Sequence, residues 1–231
     1  RMRIDSYGNV GIGVTPANTA IFEIKAGTAT IAPLKFNSGT NLTNAAAGIV
    51  EYDGSFFYAT PQTTNGRALI PNDNYYVLSA DAAAVGSTIA NFFPGTTSIP
   101  LVANGIYEIE FDLYFTKTST GTLTWTLVNS TTVTKMHARM QMSPITGVTS
   151  TPAASELMAQ VANQTAASVA FAATGSLTTA VNHSARFNII LVNGSSTSFR
   201  LQVTNSAGTV TPLAGSNWRA RRITSAGTFA V

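Results

Sequence analysis

The chain has 231 residues, 45% of them hydrophobic and only 10% charged, with no cysteine and a formal net charge of +3. This excludes a disulfide scaffold, a thiolate nucleophile and a cysteine-held metal, and it leaves too little positive charge for nucleic-acid binding, which needs a basic stripe. Charged residues fall well below the roughly 25% of an ordinary soluble domain, so the polar surface must be built from Thr, Ser, Asn and Gln; Thr in particular suits exposed strands. No stretch approaches the ~20 apolar residues of a membrane-spanning helix, so no membrane insertion is expected. Arg1 at the start predicts a piece of a longer protein, which makes the lack of a leader segment uninformative.

The chain opens with alternation at Met2 and Ile4, a turn through Tyr7-Gly8-Asn9, and renewed alternation at Val10, Ile12 and Val14. That pattern predicts strand, tight turn, strand. A lone hairpin is marginal in water, so this one points to a fibre in which other copies of the chain complete the fold. Gly11-x-Gly13 is no dinucleotide loop: Pro16 stands where the third glycine belongs, and no helix pattern follows. The run Arg3-Ile4-Asp5-Ser6-Tyr7-Gly8-Asn9-Val10-Gly11-Ile12-Gly13-Val14-Thr15 with Pro16 resembles a segment of bacteriophage tail-fibre proteins of the type RIDSxGNVGIGTTxP, with Val14 where Thr is usual.

Further along residues 1–70, Ala20 to Lys25 reads as a short strand, and Ile49-Val50-Glu51-Tyr52 and Ser55-Phe56-Phe57-Tyr58 flank Asp53-Gly54. A two-residue Asp-Gly loop predicts a hairpin with Tyr52 opposite Ser55, Glu51 opposite Phe56 and Val50 opposite Phe57. The stretch from Leu34-Lys35-Phe36 through Gly48, Glu51-Tyr52-Asp53-Gly54 and Phe57-Tyr58 to Arg67 and Leu69 is similar to a module found in phage tail proteins. Residues 1–70 are therefore expected to form a β-rich stalk segment. Pro71-Asn72-Asp73-Asn74 reads as the turn at the domain boundary.

Residues 71–231 change in strand spacing. After Asn104-Gly105, Tyr107, Ile109, Phe111, Leu113 and Phe115 share one face, and Glu108, Glu110, Asp112 and Tyr114 the other. Leu123, Trp125 and Leu127 follow, then Met136, Ala138, Met140 and Met142, with His137 and Arg139 opposite. Residues 153–162 have helix formers diluted by Thr, Ser and Gly and read as a long loop with at most one helical turn. Asn182-His183-Ser184 reads as a turn. Phe187, Ile189 and Leu191, a turn at Asn193-Gly194, and Phe199, Leu201 and Val203 lead to a closing strand with Trp218 and Ala220 on one face and Arg219 and Arg221 on the other. Many strands separated by Gly and Asn turns predict an all-β chain with a jelly-roll β-sandwich. Gly105-Ile106-Tyr107-Glu108-Ile109 and the closing strand near Trp218 resemble the corresponding strands of the trimeric C1q and tumour-necrosis-factor jelly rolls.

Glu108, Glu110 and Asp112 stand about 7 Å apart along one strand face, a spacing that glycosidase carboxyl pairs also use. The favoured reading is an acid–base ladder with Arg219 or Arg221, within or between subunits. On the C1q-like reading this face points toward the trimer axis, which makes Glu108, Glu110, Asp112, Arg219 and Arg221 the trimer-interface candidates. Neither histidine has the context of a triad or a metal site, and Asp53 and Asn72-Asp73-Asn74 lack the ligand density of a calcium loop; no cofactor or metal is expected. The clustered aromatics Phe56, Phe57, Tyr58, Tyr75, Tyr76, Phe92 and Phe93 are expected to be buried mostly between subunits rather than stacked on sugars, and Trp125 and Trp218 in the core. Asn41, Asn129 and Asn193 begin glycosylation sequons of the kind a Ser/Thr-rich chain contains by chance.

The resemblances imply a homotrimeric phage tail-fibre tip, joined to upstream tail-fibre or baseplate proteins. On this reading 71–231 is a receptor-binding head that recognises a bacterial surface structure, a glycan above all, without catalysis. The loop from Pro144 to Pro152, with Ile145, Thr146, Thr149 and Ser150, is the expected receptor contact. A bacterial adhesin or carbohydrate-binding module, and a tail-spike depolymerase, remain as alternatives.

Overall fold

The computed structural model describes residues 1–17, 20–61, 68–70, 73–95, 98–145, 157–173 and 182–225, and every regular element among them is a strand. The chain divides into two compact units, Arg1–Ile70 and Pro71–Val231.

The first unit holds two small sheets. In one, β1 (Met2–Ile4) pairs antiparallel with β2 (Val10–Ile12), which pairs parallel with β3 (Phe22–Ile24). The Asp5 carboxylate shapes the turn: it accepts the backbone N–H of Tyr7 and of Asn9, each at 2.9 Å, and the Asn9 side-chain amide at 2.9 Å. Gly8, at φ 86°, supplies the left-handed step. Gly11 serves packing: a Cβ there would lie 2.6 Å from the Val14 carbonyl oxygen.

The second sheet joins β4 (Ile49–Tyr52), β5 (Phe57–Thr60) and β6 (Ala68–Leu69). Its hairpin corrects the predicted register. Tyr52 pairs with Phe57, Glu51 with Tyr58 and Val50 with Ala59, so the loop is four residues long. Asp53 is the cause. Its carboxylate takes the N–H groups of Ser55 and Phe56 at 2.7 and 2.8 Å, and the Tyr58 hydroxyl at 2.8 Å. This folds Ser55 and Phe56 into the turn and lets Phe56 bury itself.

The second unit is a jelly-roll β-sandwich. Its strands are β7 (Asp73–Val77), β8 (Ala90–Asn91), β9 (Ile99–Pro100), β10 (Gly105–Lys117), β11 (Leu123–Asn129), β12 (Lys135–Ile145), β13 (Leu157–Gln164), β14 (Ser168–Ala173), β15 (Asn182–Val192), β16 (Ser198–Asn205), β17 (Val210–Pro212) and β18 (Asn217–Ser225). The larger sheet runs β13-β12-β15-β10-β18-β7, with β17 continuing the line of β18 beside β10; the smaller runs β14-β11-β16-β8, with β9 also on β16. From β7 to β18 the chain crosses repeatedly between the two sheets, staying within one only at β8–β9, β12–β13 and β17–β18, and the first and last strands are neighbours.

The alternating faces meet in the middle. Phe111 packs against Phe199, Phe115 edge-on against Trp125, and Phe187 against both Trp125 and Phe171, with ring centroids 5.2–6.1 Å apart. These contacts cross from one sheet to the other, and edge-to-face geometry suits the aromatic quadrupole. Phe92 and Phe93 belong to this core, at 0% and 3% exposure. The expectation that they pack between subunits is therefore corrected. The Met136–Met142 stripe and both tryptophans are core as read.

Three further readings change. Asp73 and Asn74 lie in strand β7 rather than in a boundary turn, because both pair with β18. Of residues 153–162, read as a long loop, 153–156 lie outside the described residues and 157–162 belong to β13 on the edge of β12, where the neighbour overrides local preference. His183 is not in a turn; it is a fully buried strand residue stacked on Phe115, with ring centroids 5.3 Å apart.

Candidate functional site

Polar chemistry concentrates on the outer face of the larger sheet. Antiparallel register aligns residues into rows across the strands. One row runs Asp73, Arg221, Glu108, Ile190, His137; the next Tyr75, Arg219, Glu110, Asn188, Arg139; the third Val77, Asn217, Asp112, Arg186, Gln141. A chain with only ten acids and thirteen basic residues places four of each on these three rows.

The acid–base ladder exists within one chain, with partners partly different from those read. Arg219 Nη2 donates to Glu110 at 2.7 Å. Arg221 engages Asp73 with two bonds, 2.8 and 3.1 Å, and reaches Glu108 only at 4.0 Å. Asp112 binds neither Arg219 nor Arg221, because its neighbour on β18 is Asn217; it accepts Arg186 Nε at 2.6 Å from the other side. The forked bond with Arg221 holds the Asp73 carboxyl below its ordinary value, and the same bond raises Arg221. The bond to Asp112 likewise raises Arg186. All these side chains are partly exposed, so each pair contributes at most ~1 kcal/mol. Their larger effect is on register, since a one-residue slip would bring like charges together.

Each of the three acids weighed for glycoside cleavage thus stands beside a guanidinium. Among the described residues no group of three or more His, Asp or Glu gathers as a metal site. Asp53 caps its own turn and Asp73 is taken by Arg221. Asn129 and Asn193 are buried at 3% and 1% exposure, and the Asn193 amide donates to Val102 and Ser196 carbonyls at 2.8 Å each, closing its own turn.

Of the receptor-loop candidates, Ile145 is the last residue of β12, paired with Asn182; Thr146, Thr149 and Ser150 lie outside the described residues. Pro144 belongs to the strand rather than to the loop.

Sequence reasoning missed Arg186, Gln141 and Ser184. Alternation around Phe187, Ile189 and Leu191 puts Arg186 on an outer face, but only the pairing of β15 with β10 and β12 brings it beside Asp112 and Gln141. Together with Tyr114 these side chains line a depression of about 220 Å³ on the sheet. A second depression, of about 350 Å³, is lined by residues such as Ala83, Val85, Phe92 and Pro94 and is mainly apolar.

No protein-family model matches the chain, and no curated protein matches it. Among solved structures, a structure of the infectious bursal disease virus Gx strain is similar over 71% of this chain and 45% of that chain, at 13% identity and a TM-score of 0.18. The chain thus spans less than half the length of that structure.

Proposed function

We propose that this chain is the distal part of a bacteriophage tail fibre, with residues 1–70 as a stalk segment and 71–231 as a head that recognises a bacterial surface glycan. The observation that carries the reading is the opening Arg3–Pro16 segment, whose residues resemble those of tail fibres. The exposure of the first unit supports it: Met2, Ile4, Ile21, Phe22, Ile31 and Leu34 are each more than half exposed. A unit that leaves such side chains in water gains from burying them against other copies.

The assembly is a homotrimer attached to upstream tail-fibre or baseplate proteins, at the tip of the virion. In the head, the part of the outer face toward β7 and β18 suits contact between copies, since exposed Tyr75, Val77 and Ile223 border Arg219 and Arg221. Binding is non-enzymatic and gains from multivalency, by roughly 10²–10⁴ when sites act together.

The test has two readouts. Sedimentation equilibrium of the intact chain should give three copies, and Arg221→Glu should weaken the assembly; a stable monomer would sink the fibre reading. An array of bacterial surface polysaccharides should retain the protein without release of reducing sugar. Turnover would instead identify a depolymerase, and a gene neighbourhood without virion genes would identify an adhesin or carbohydrate-binding module.

A further inference from the structure

We propose that the depression on the outer face of the larger sheet, formed by Asp112, Tyr114, Gln141, Ser184 and Arg186, is a binding site for a single neutral sugar ring. The inference rests on the receptor-binding reading and gives it a location.

The site is made by strand register. Gln141 on β12, Arg186 on β15 and Asp112 on β10 form one row, and Ser184 and Tyr114 stand in the next. Three strands span about 9.5 Å, and two positions along a strand about 7 Å. The side chains of Leu113 and Ala185 point into the core, so these two residues contribute backbone to the floor. A volume of about 220 Å³ is below the roughly 300–1,000 Å³ of pockets for drug-sized ligands, and suits one ring rather than a nucleotide or a peptide.

The lining chemistry narrows the ligand. Asp112 and Arg186 neutralise one another through their 2.6 Å bond, so neither an anion nor a cation is favoured. The pair still presents a carboxylate acceptor beside guanidinium donors. Gln141 and Ser184 each carry both a donor and an acceptor. Sugar hydroxyls have the same dual character. Tyr114, 38% exposed as a residue, adds its ring as an apolar wall, which matches the C–H face of a pyranose and leaves a hydroxyl at its edge. Side chains held on paired strands keep their geometry better than those on a loop, which reduces the ordering cost of binding.

The probes are methyl glycosides of hexoses, 6-deoxyhexoses and N-acetylhexosamines, observed by saturation-transfer NMR on the intact chain. At least one should bind, and Tyr114→Ala and Gln141→Ala should each weaken it about tenfold, the effect of losing one good contact. Arg200→Gln, on the outer face of the smaller sheet, should leave it unchanged. Circular dichroism melts identify any variant that fails to fold, and the second variant then decides. Absence of binding by every glycoside, or full binding by a folded Tyr114→Ala and Gln141→Ala, overturns the site. The same variants on the polysaccharide array separate the two claims. Retention that survives both substitutions removes the site and leaves the receptor reading; glycoside binding at the site without retention on any bacterial polysaccharide does the reverse.

Discussion

The two units of this chain solve the burial problem in opposite ways. Residues 71–231 enclose one continuous core, from Val85 through Phe111, Trp125 and Phe187 to Ala220. In residues 1–70, Phe56 is the one large hydrophobic that reaches burial among the described residues, while thirteen of the twenty exposed large hydrophobics lie there. Three-stranded sheets of two- to four-residue strands cannot cover both of their faces. The lesson is that similar apolar content yields a self-sufficient fold only where strands are long enough to form two facing layers.

The largest expected effect comes from breaking the self-sufficient unit. Trp125→Ala removes a side chain that touches Phe92, Phe115 and Phe187 and should cost about 3–5 kcal/mol in urea unfolding of 71–231. A loss below ~1 kcal/mol would contradict the core described above.

The next prediction sharpens the contrast directly. Hydrogen exchange of the strand amides in 1–70 should slow as protein concentration rises, since association stabilises by mass action. Exchange within β10 and β11, whose core closes within one chain, should depend on concentration far less. Equal behaviour of the two units would remove the distinction.

A smaller effect is expected at Lys117. It sits on the inner face of β10, 1% exposed, with its ammonium donating to the Gly121 carbonyl. Burial lowers its pKa. The unfolded chain therefore binds more protons than the folded one between that lowered value and the ordinary ~10.4, and stability should rise with pH through this window. Lys117→Met should abolish the rise, and at neutral pH it should be neutral or mildly stabilising. A wild-type stability that falls across the same window would count against the buried ammonium.

The smallest effect belongs to the first unit. Partial desolvation raises the Asp53 pKa, but the bonds from Phe56, Ser55 and Tyr58 outweigh it, so the net displacement is downward. Its contribution is present above the unfolded value of ~3.9 and is lost as pH falls through the lower folded value. Asp53→Asn should blunt this acid sensitivity of the hairpin, followed by the Tyr58 ring signals, while the melt of 71–231 stays unchanged.

The outer charged face was partly legible beforehand. Alternation along β10 separates Glu108, Glu110 and Asp112 from the core residues between them, and the closing strand displays Arg219 and Arg221 in the same way. Which cation meets which acid was not legible. Arg186 lies 74 positions from Asp112, and nothing local in either strand marks the other. The Asp53 register was missed for a different reason: one carboxylate with two backbone partners outweighed the preference for a two-residue turn. In β13 the edge of β12 overrode a composition that reads as helix or loop.

The amino-acid sequence by itself therefore determined the strand class, the inward and outward faces of the long strands, the cysteine-free and weakly charged surface, and the change of character near residue 70. These are local properties, set by side-chain period and turn chemistry within a few residues. Only the tertiary structure decided which strands share a sheet, the rows that pair Asp112 with Arg186 and Asp73 with Arg221, and the depression beside Tyr114. Those depend on hydrogen-bonded register between segments tens to more than a hundred residues apart, and each strand carries only half of that register.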